Sequence, residues 1–203
     1  MITIKQNSKV LFQGDSVTDC HRDRNDINSL GNSYVKDVAS FLSQYNIKSI
    51  NKAISGNTVR DLLGRLEEDF FKINPDYIFI LIGVNDTWHN YPKQKPSLVF
   101  YVEYELLLKK IKERLNVPVI LLEPFIIGYN EEITCMEEDL NDKISYIKKL
   151  AEKYDCQYLS FKNEFNSILT KENYLEYTLE GIHLLEKGYQ IMSQKLISNI
   201  NIE

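Results

Sequence analysis

Apolar residues fall along this chain in two alternating rhythms. Five short runs have the length of strands: Lys9–Gln13, Lys48–Ala53, Tyr77–Ile82, Pro118–Glu123 and Cys156–Phe161. The third (YIFILI) and fourth (PVILLE) are nearly continuous, as in strands covered by helices on both faces of a parallel sheet. The second, KSINKA, has the weakest pattern. Between the runs, apolar residues recur at helical spacing. Asn32–Tyr45 aligns Tyr34, Val35, Val38, Phe41 and Leu42, and Thr58–Ile73 aligns Leu62, Leu63, Leu66, Phe70 and Phe71. Ser97–Leu115, Met136–Tyr154 and Glu186–Ile200 follow the same rule. Asn74-Pro75 closes the second of these helices, and Asn116-Val117-Pro118 follows the third, because a residue before proline avoids helical geometry. Alternating strands and helices predict an α/β fold: a three-layer α/β/α sandwich around a five-stranded parallel sheet with right-handed crossovers.

Length adds that 203 residues can bury one core, so a single domain over residues 1–203 is expected. Charge narrows the partners. The 24 basic and 29 acidic residues are mixed along the chain, without the basic blocks that nucleic acid requires. No apolar run approaches the ~20 residues of a membrane span. The opening MITIKQNSKV lacks the basic stretch and apolar core of a secretory signal, so a cytoplasmic location is expected. Cys20, Cys135 and Cys156 are odd in number and lack CxxC spacing, which reads as free thiols in a reducing compartment. No His, Cys or carboxylate cluster has metal-ligand spacing, and G-x-G-x-x-G and G-x-x-x-x-G-K-[ST] are both missing, so no metal or cofactor is expected.

Ligands of such sheets bind beyond the carboxyl ends of the strands. The first run ends at Gly14-Asp15-Ser16 and the second at Ile54-Ser55-Gly56-Asn57. The third ends at Gly83-Val84-Asn85-Asp86, and the turn before the last helix holds Glu180-Gly181-Ile182-His183. A hydroxyl, a glycine backbone donor, an amide, an imidazole and a carboxylate are the parts of a nucleophilic hydrolase. Taken singly, each reads as a turn, cap or loop residue.

The four blocks, GDSVTD, AISGNT, GVND and EGIH, stand in the order found in the SGNH (GDSL-type) hydrolase superfamily, which the chain resembles over nearly its whole length. That resemblance implies a flavodoxin-like architecture and a serine esterase. Ser16 would be the nucleophile, His183 the base, and the N–H groups of Ser16 and Gly56 with the Asn85 amide the oxyanion hole. The family usually has Asp three residues before the histidine; this chain has Glu180, with Glu176 as the alternative acid. A serine hydroxyl needs a base in hydrogen-bond reach, and the base needs an acid to fix its tautomer. Gly14 is expected to let the chain turn sharply. Asp15 is expected to brace the serine loop and, with Trp88 and His89, to border the substrate pocket. Trp88 also reads as core filler, and Asp19 and Asp86 read as loop-structuring residues.

The expected substrate is a small acyl ester, acetyl before longer chains, carried by a sugar. A thioesterase or lysophospholipase is the alternative enzyme. A catalytically weak acyl-ligand-binding member and a nucleotide- or flavin-binding module are the non-catalytic alternatives. Oligomeric state is not legible in the chain.

Overall fold

The structure is a computed structural model and describes residues 1–89 and 97–203. Its strands, among the described residues, are β1 (Ile2–Ile4), β2 (Lys9–Gly14), β3 (Lys48–Asn51), β4 (Tyr77–Leu81), β5 (Val119–Leu122), β6 (Gln157–Leu159) and β7 (Ile200–Ile202). The helices are α1 (Ser16–Asp19), α2 (Tyr34–Ser43), α3 (Val59–Gly64), α4 (Val84–Trp88), α5 (Ser97–Arg114), α6 (Glu131–Thr134), α7 (Glu137–Lys153), α8 (Lys162–Ile168) and α9 (Glu186–Ser198).

Five strands form one parallel sheet in the order β3-β2-β4-β5-β6. The chain leaves β2, adds β3 on one side, and returns past β2 to lay down β4. That reversal opens a crevice at the carboxyl ends of β2 and β4, where sheets of this order bind ligands. Register pairs Phe12 with Phe79, and their rings stack at 5.1 Å. Successive side chains on a strand point to opposite faces. Val10, Phe12, Phe79 and Leu122 therefore enter the core beneath α2 and α9, while Leu11, Ile78, Ile80 and Leu121 enter the core beneath α3, α5 and α7. Fully burying one such side chain contributes about 1.5–3 kcal/mol, so this sheet is a stiff platform for the loops at its edge.

The expected order of elements holds, with ends displaced by at most two residues. Other features differ from the sequence pattern. Thr58–Ile73 is not one α-helix: α3 ends at Gly64, and Glu67–Phe71 forms a π-type turn closed by Lys72 N–H on Glu67 O at 3.0 Å. The wider turn leaves Phe70 fully buried, and the backbone O of Asp69 accepts from Gln13 Nε2. Ile200 leaves the last helix to enter β7, which pairs with β1 in a separate parallel ribbon. The short helices α1, α4, α6 and α8 also lie outside the predicted set.

Candidate active site

β2 delivers the first block. Gly14 is needed for close approach rather than for a sharp turn: a Cβ there would stand 2.4 Å from Leu81 O and 2.7 Å from Thr18 Oγ1. Asp15 caps α1, its Oδ1 accepting from Val17 N–H at 3.0 Å. Ser16 is the first residue of that helix, so its N–H has no carbonyl one turn back to meet. Burial pushes the Asp15 carboxyl up to about 7, against the pull of the Val17 N–H.

The second block is tied to the first by Ile54 N–H on Gly14 O, and the third to the second through Asn85 and Asp86. Gly56 has φ +82°, a conformation that favours glycine, and nothing lies within 4 Å of the position a Cβ would occupy. Asn85, at the start of α4, donates from Nδ2 to Asn57 O at 3.0 Å. A carboxamide has two N–H donors, so one is left for a ligand. Asp86 accepts the Val59 N–H at the start of α3, tying the third block to the second. Burial raises the Asp86 carboxyl to about 7, while the Val59 N–H and the Lys143 charge lower it and Asp15 adds to the rise.

The last block closes the crevice. Ser16 Oγ lies 2.9 Å from His183 Nε2, and His183 Nδ1 lies 2.5 Å from Glu180 Oε1. An ionised carboxylate only accepts, so the contact places the proton on Nδ1 and leaves Nε2 free to accept from the serine hydroxyl. The same Glu180 oxygen accepts the backbone N–H of His183 at 3.2 Å. Thr178, fully buried, holds the turn: its Oγ1 donates to His183 O at 2.9 Å and accepts from Gly181 N–H at 2.8 Å. An antiparallel bridge pairs Thr178 with Leu184, and Ile127 N–H donates to Gly181 O from the loop after β5.

The structure thus brings Ser16, Gly56, Asn85, Glu180 and His183 to one edge of the sheet. Glu176 is elsewhere, exposed and paired with Lys187. Trp88 is partly exposed, and its ring centroid lies 6.0 Å from that of His183. Asp15, grouped with the pocket on sequence grounds, is instead buried beneath the serine turn, because capping α1 directs its carboxylate inward. His89 is exposed at the end of α4, its N–H on Asn85 O. The polar frame was not predicted in detail. Asn51 Nδ2 donates to Thr18 O and Leu30 O, and Arg65 donates to Asn57 Oδ1 and Lys52 O. The available signal was polar residues falling in short segments with no room to reach solvent. Among the described residues, no group of three or more His, Cys, Asp and Glu is arranged to hold a metal ion.

Comparison with known proteins gives one consistent answer. The chain is 33% identical over 213 residues to the acetylxylan esterase of Geobacillus stearothermophilus, covering 98% of this chain and 97% of that protein. A crystal structure of that esterase, Axe2, superposes with a TM-score of 0.84 at 29% identity, covering 96% of this chain and 94% of the other. A protein of Parabacteroides merdae, described as a GDSL-like lipase, superposes with a TM-score of 0.88 at 32% identity over 97% of both chains. Catalytic mutants of Axe2 have a serine, an aspartate or a histidine changed to alanine. The profile of the GDSL-like lipase/acylhydrolase family matches residues 12–191. The chain belongs to that family, within the SGNH hydrolases.

Proposed function

We propose that the protein is a serine esterase that removes short acyl groups, acetyl first, from the hydroxyls of a carbohydrate. The observation that carries this reading is the aligned row Ser16 Oγ, His183 Nε2, His183 Nδ1, Glu180 Oε1, with contacts of 2.9 and 2.5 Å, at the crevice of the sheet. Similarity to an acetylxylan esterase over nearly the whole chain supports the choice of acetyl and of sugar.

In this mechanism Ser16 Oγ attacks the ester carbonyl and gives its proton to His183 Nε2. Glu180 stabilises the imidazolium through the Nδ1–H bond. The carbonyl oxygen, now negative, is met by the N–H groups of Ser16 and Gly56 and by the second Nδ2–H of Asn85. Each such donor lowers the barrier by about 3 kcal/mol. Collapse expels the sugar alkoxide, which takes the proton back from His183. Water then attacks the acyl-serine with His183 as base again, and acetate leaves. Trp88, beside His183, forms a wall for the sugar ring, since aromatic faces suit its C–H surface. Three free cysteines support a reducing, cytoplasmic setting. No helix among the described residues is long and apolar enough to cross a membrane.

The test is a panel of p-nitrophenyl acetate, butyrate and longer esters beside acetylated xylo-oligosaccharides. Expected are a fall in kcat/KM beyond butyrate and release of acetate from the sugar. A rate rising steadily with chain length would overturn the acetyl preference in favour of a lysophospholipase or thioesterase.

A further inference from the structure

Asp19 closes α1, three residues after Ser16, and is buried. Its Oδ2 accepts both the N–H and the Oγ–H of Ser55 at 2.8 Å, and Arg24 Nη2 at 2.7 Å. Arg22 Nε stands 4.0 Å from the other oxygen. Burial pushes the Asp19 carboxyl up, but the bonds from Arg24 and Ser55 outweigh it and hold the group below the usual carboxylate range. Ser55 immediately precedes Gly56. The segment between β3 and α3 has no ladder of its own, so its backbone is held by single contacts. Arg22 Nη2 donates to Ala53 O at 3.0 Å, Ile54 N–H to Gly14 O at 3.2 Å, and Arg65 Nε to Asn57 Oδ1 at 3.0 Å. Cys20 and His21 both adopt left-handed backbone, φ 33° and 61°, which turns the chain back so that Arg22 reaches this segment.

The N–H of Gly56 lies in the peptide plane that begins at the Ser55 carbonyl. Holding Ser55 at its N–H and Oγ, with Ile54 and Asn57 held on either side, restricts where that N–H points. We propose that Asp19 is the positioning residue of the oxyanion hole: by holding both donors of Ser55, it aims the Gly56 N–H at the oxygen of the acyl group attacked by Ser16. Asp19 rides on the helix that starts with Ser16, so one short turn of chain sets the distance between nucleophile and donor. This rests on the esterase mechanism proposed above and assigns that mechanism a positioning role for the last residue of its first block, GDSVTD.

The experiment compares wild type, Asp19→Ala, Asp19→Asn, Ser55→Ala and Ser16→Ala on p-nitrophenyl acetate. Inhibition by phenylboronic acid, whose serine adduct places an oxygen in the hole, is measured beside kcat, KM and Tm. The low-field Nδ1–H proton of His183 is followed by NMR. Asp19→Ala should lower kcat about 100-fold and weaken the boronate by a similar factor, the loss expected of an oxyanion donor. KM should stay within about twofold, because the contact forms only in the transition state. The His183 proton should not move. Asp19→Asn, whose amide oxygen still accepts from Ser55, should lose about tenfold or less. Boronate affinity equal to wild type in Asp19→Ala overturns the proposal, whatever kcat does. If Asp19→Ala does not fold, Ser55→Ala carries the test: parallel losses in kcat and boronate affinity support the proposal, and wild-type values of both overturn it. Full activity in Ser16→Ala is a separate result, which removes the esterase reading and this inference with it.

Discussion

The two halves of the crevice are built differently. On the side of Ser16, Gly56 and Asn85, buried polar residues hold the backbone from both directions: Asp15, Asp19, Arg22, Asn51 and Asp86 all lie inside. On the side of Glu180 and His183, the turn hangs on one buried threonine, one β-bridge and one bond from the loop after β5, and both functional side chains are partly exposed. The difference matches the work assigned to each half. Negative charge growing on an acyl oxygen is stabilised by dipoles that are already in place and do not reorganise. A general base serves the serine, the leaving alcohol and then water, and its own acid fixes its orientation. The rigid half suits the donors proposed for the oxyanion, two backbone N–H groups and the Asn85 amide. The looser half explains how a glutamate can stand where the superfamily usually has an aspartate.

The largest effects should come from breaking the contact that joins the halves. Ser16→Ala and His183→Ala should each lower kcat on the order of 10⁶-fold, and the double variant should be little worse, because the two act as a unit. Additive losses in steady-state kinetics would contradict that. Next comes the acid. Glu180→Gln keeps the shape but lets the imidazole choose the wrong tautomer, which in serine triads costs about 10⁴-fold. Glu180→Asp keeps the charge and should lose far less, which would confirm that this half tolerates a change of reach. Equal losses in the two variants would show that geometry, not charge, governs the turn.

Thr178→Val removes both bonds of Oγ1 at nearly constant volume. Leaving buried backbone groups unpaired costs about 1–3 kcal/mol, so Tm and kcat should fall together, with the boronate contact on the other half unchanged. The last effect concerns pH and bears on stability, not on the chemical step. Asp15 titrates near 7 in the fold against 3.8 as an ordinary carboxyl, so the folded protein binds the extra proton. Its contribution favours the fold below about pH 4 and is lost as pH rises to about 7. Asp15→Asn should keep the cap and flatten the fall of Tm over that window. An unchanged slope would place the titration elsewhere, Asp86 being the other buried carboxyl raised to the same range.

Much of this was legible in the chain because the two rhythms are strong. YIFILI and PVILLE gave central strands β4 and β5, whose every residue is buried. Ser16, Gly56, Asn85 and His183 were legible because each ends a strand or precedes a helix, where short polar motifs stand out from apolar runs. Thr58–Ile73 misled because the spacing of Leu62, Leu66 and Phe70 fits an α-helix, while at the break Arg65 turns its guanidinium to Asn57 and Lys52. β1 and β7 are three residues each and pair across the length of the chain, so no local pattern marks them. Asp19 was legible as a loop-structuring residue near the serine, but without its partner. Its part emerges once Ser55, 36 positions away, is seen to bond to it.

The most direct test of the account is to trap the intermediate. Wild type is mixed with p-nitrophenyl acetate, quenched in acid within the first turnovers, digested and read by mass spectrometry. An acetyl group is expected on the peptide carrying Ser16, with a burst of nitrophenolate, and neither in Ser16→Ala. Acetyl on Cys20 or another residue, or an undiminished burst in Ser16→Ala, would contradict it.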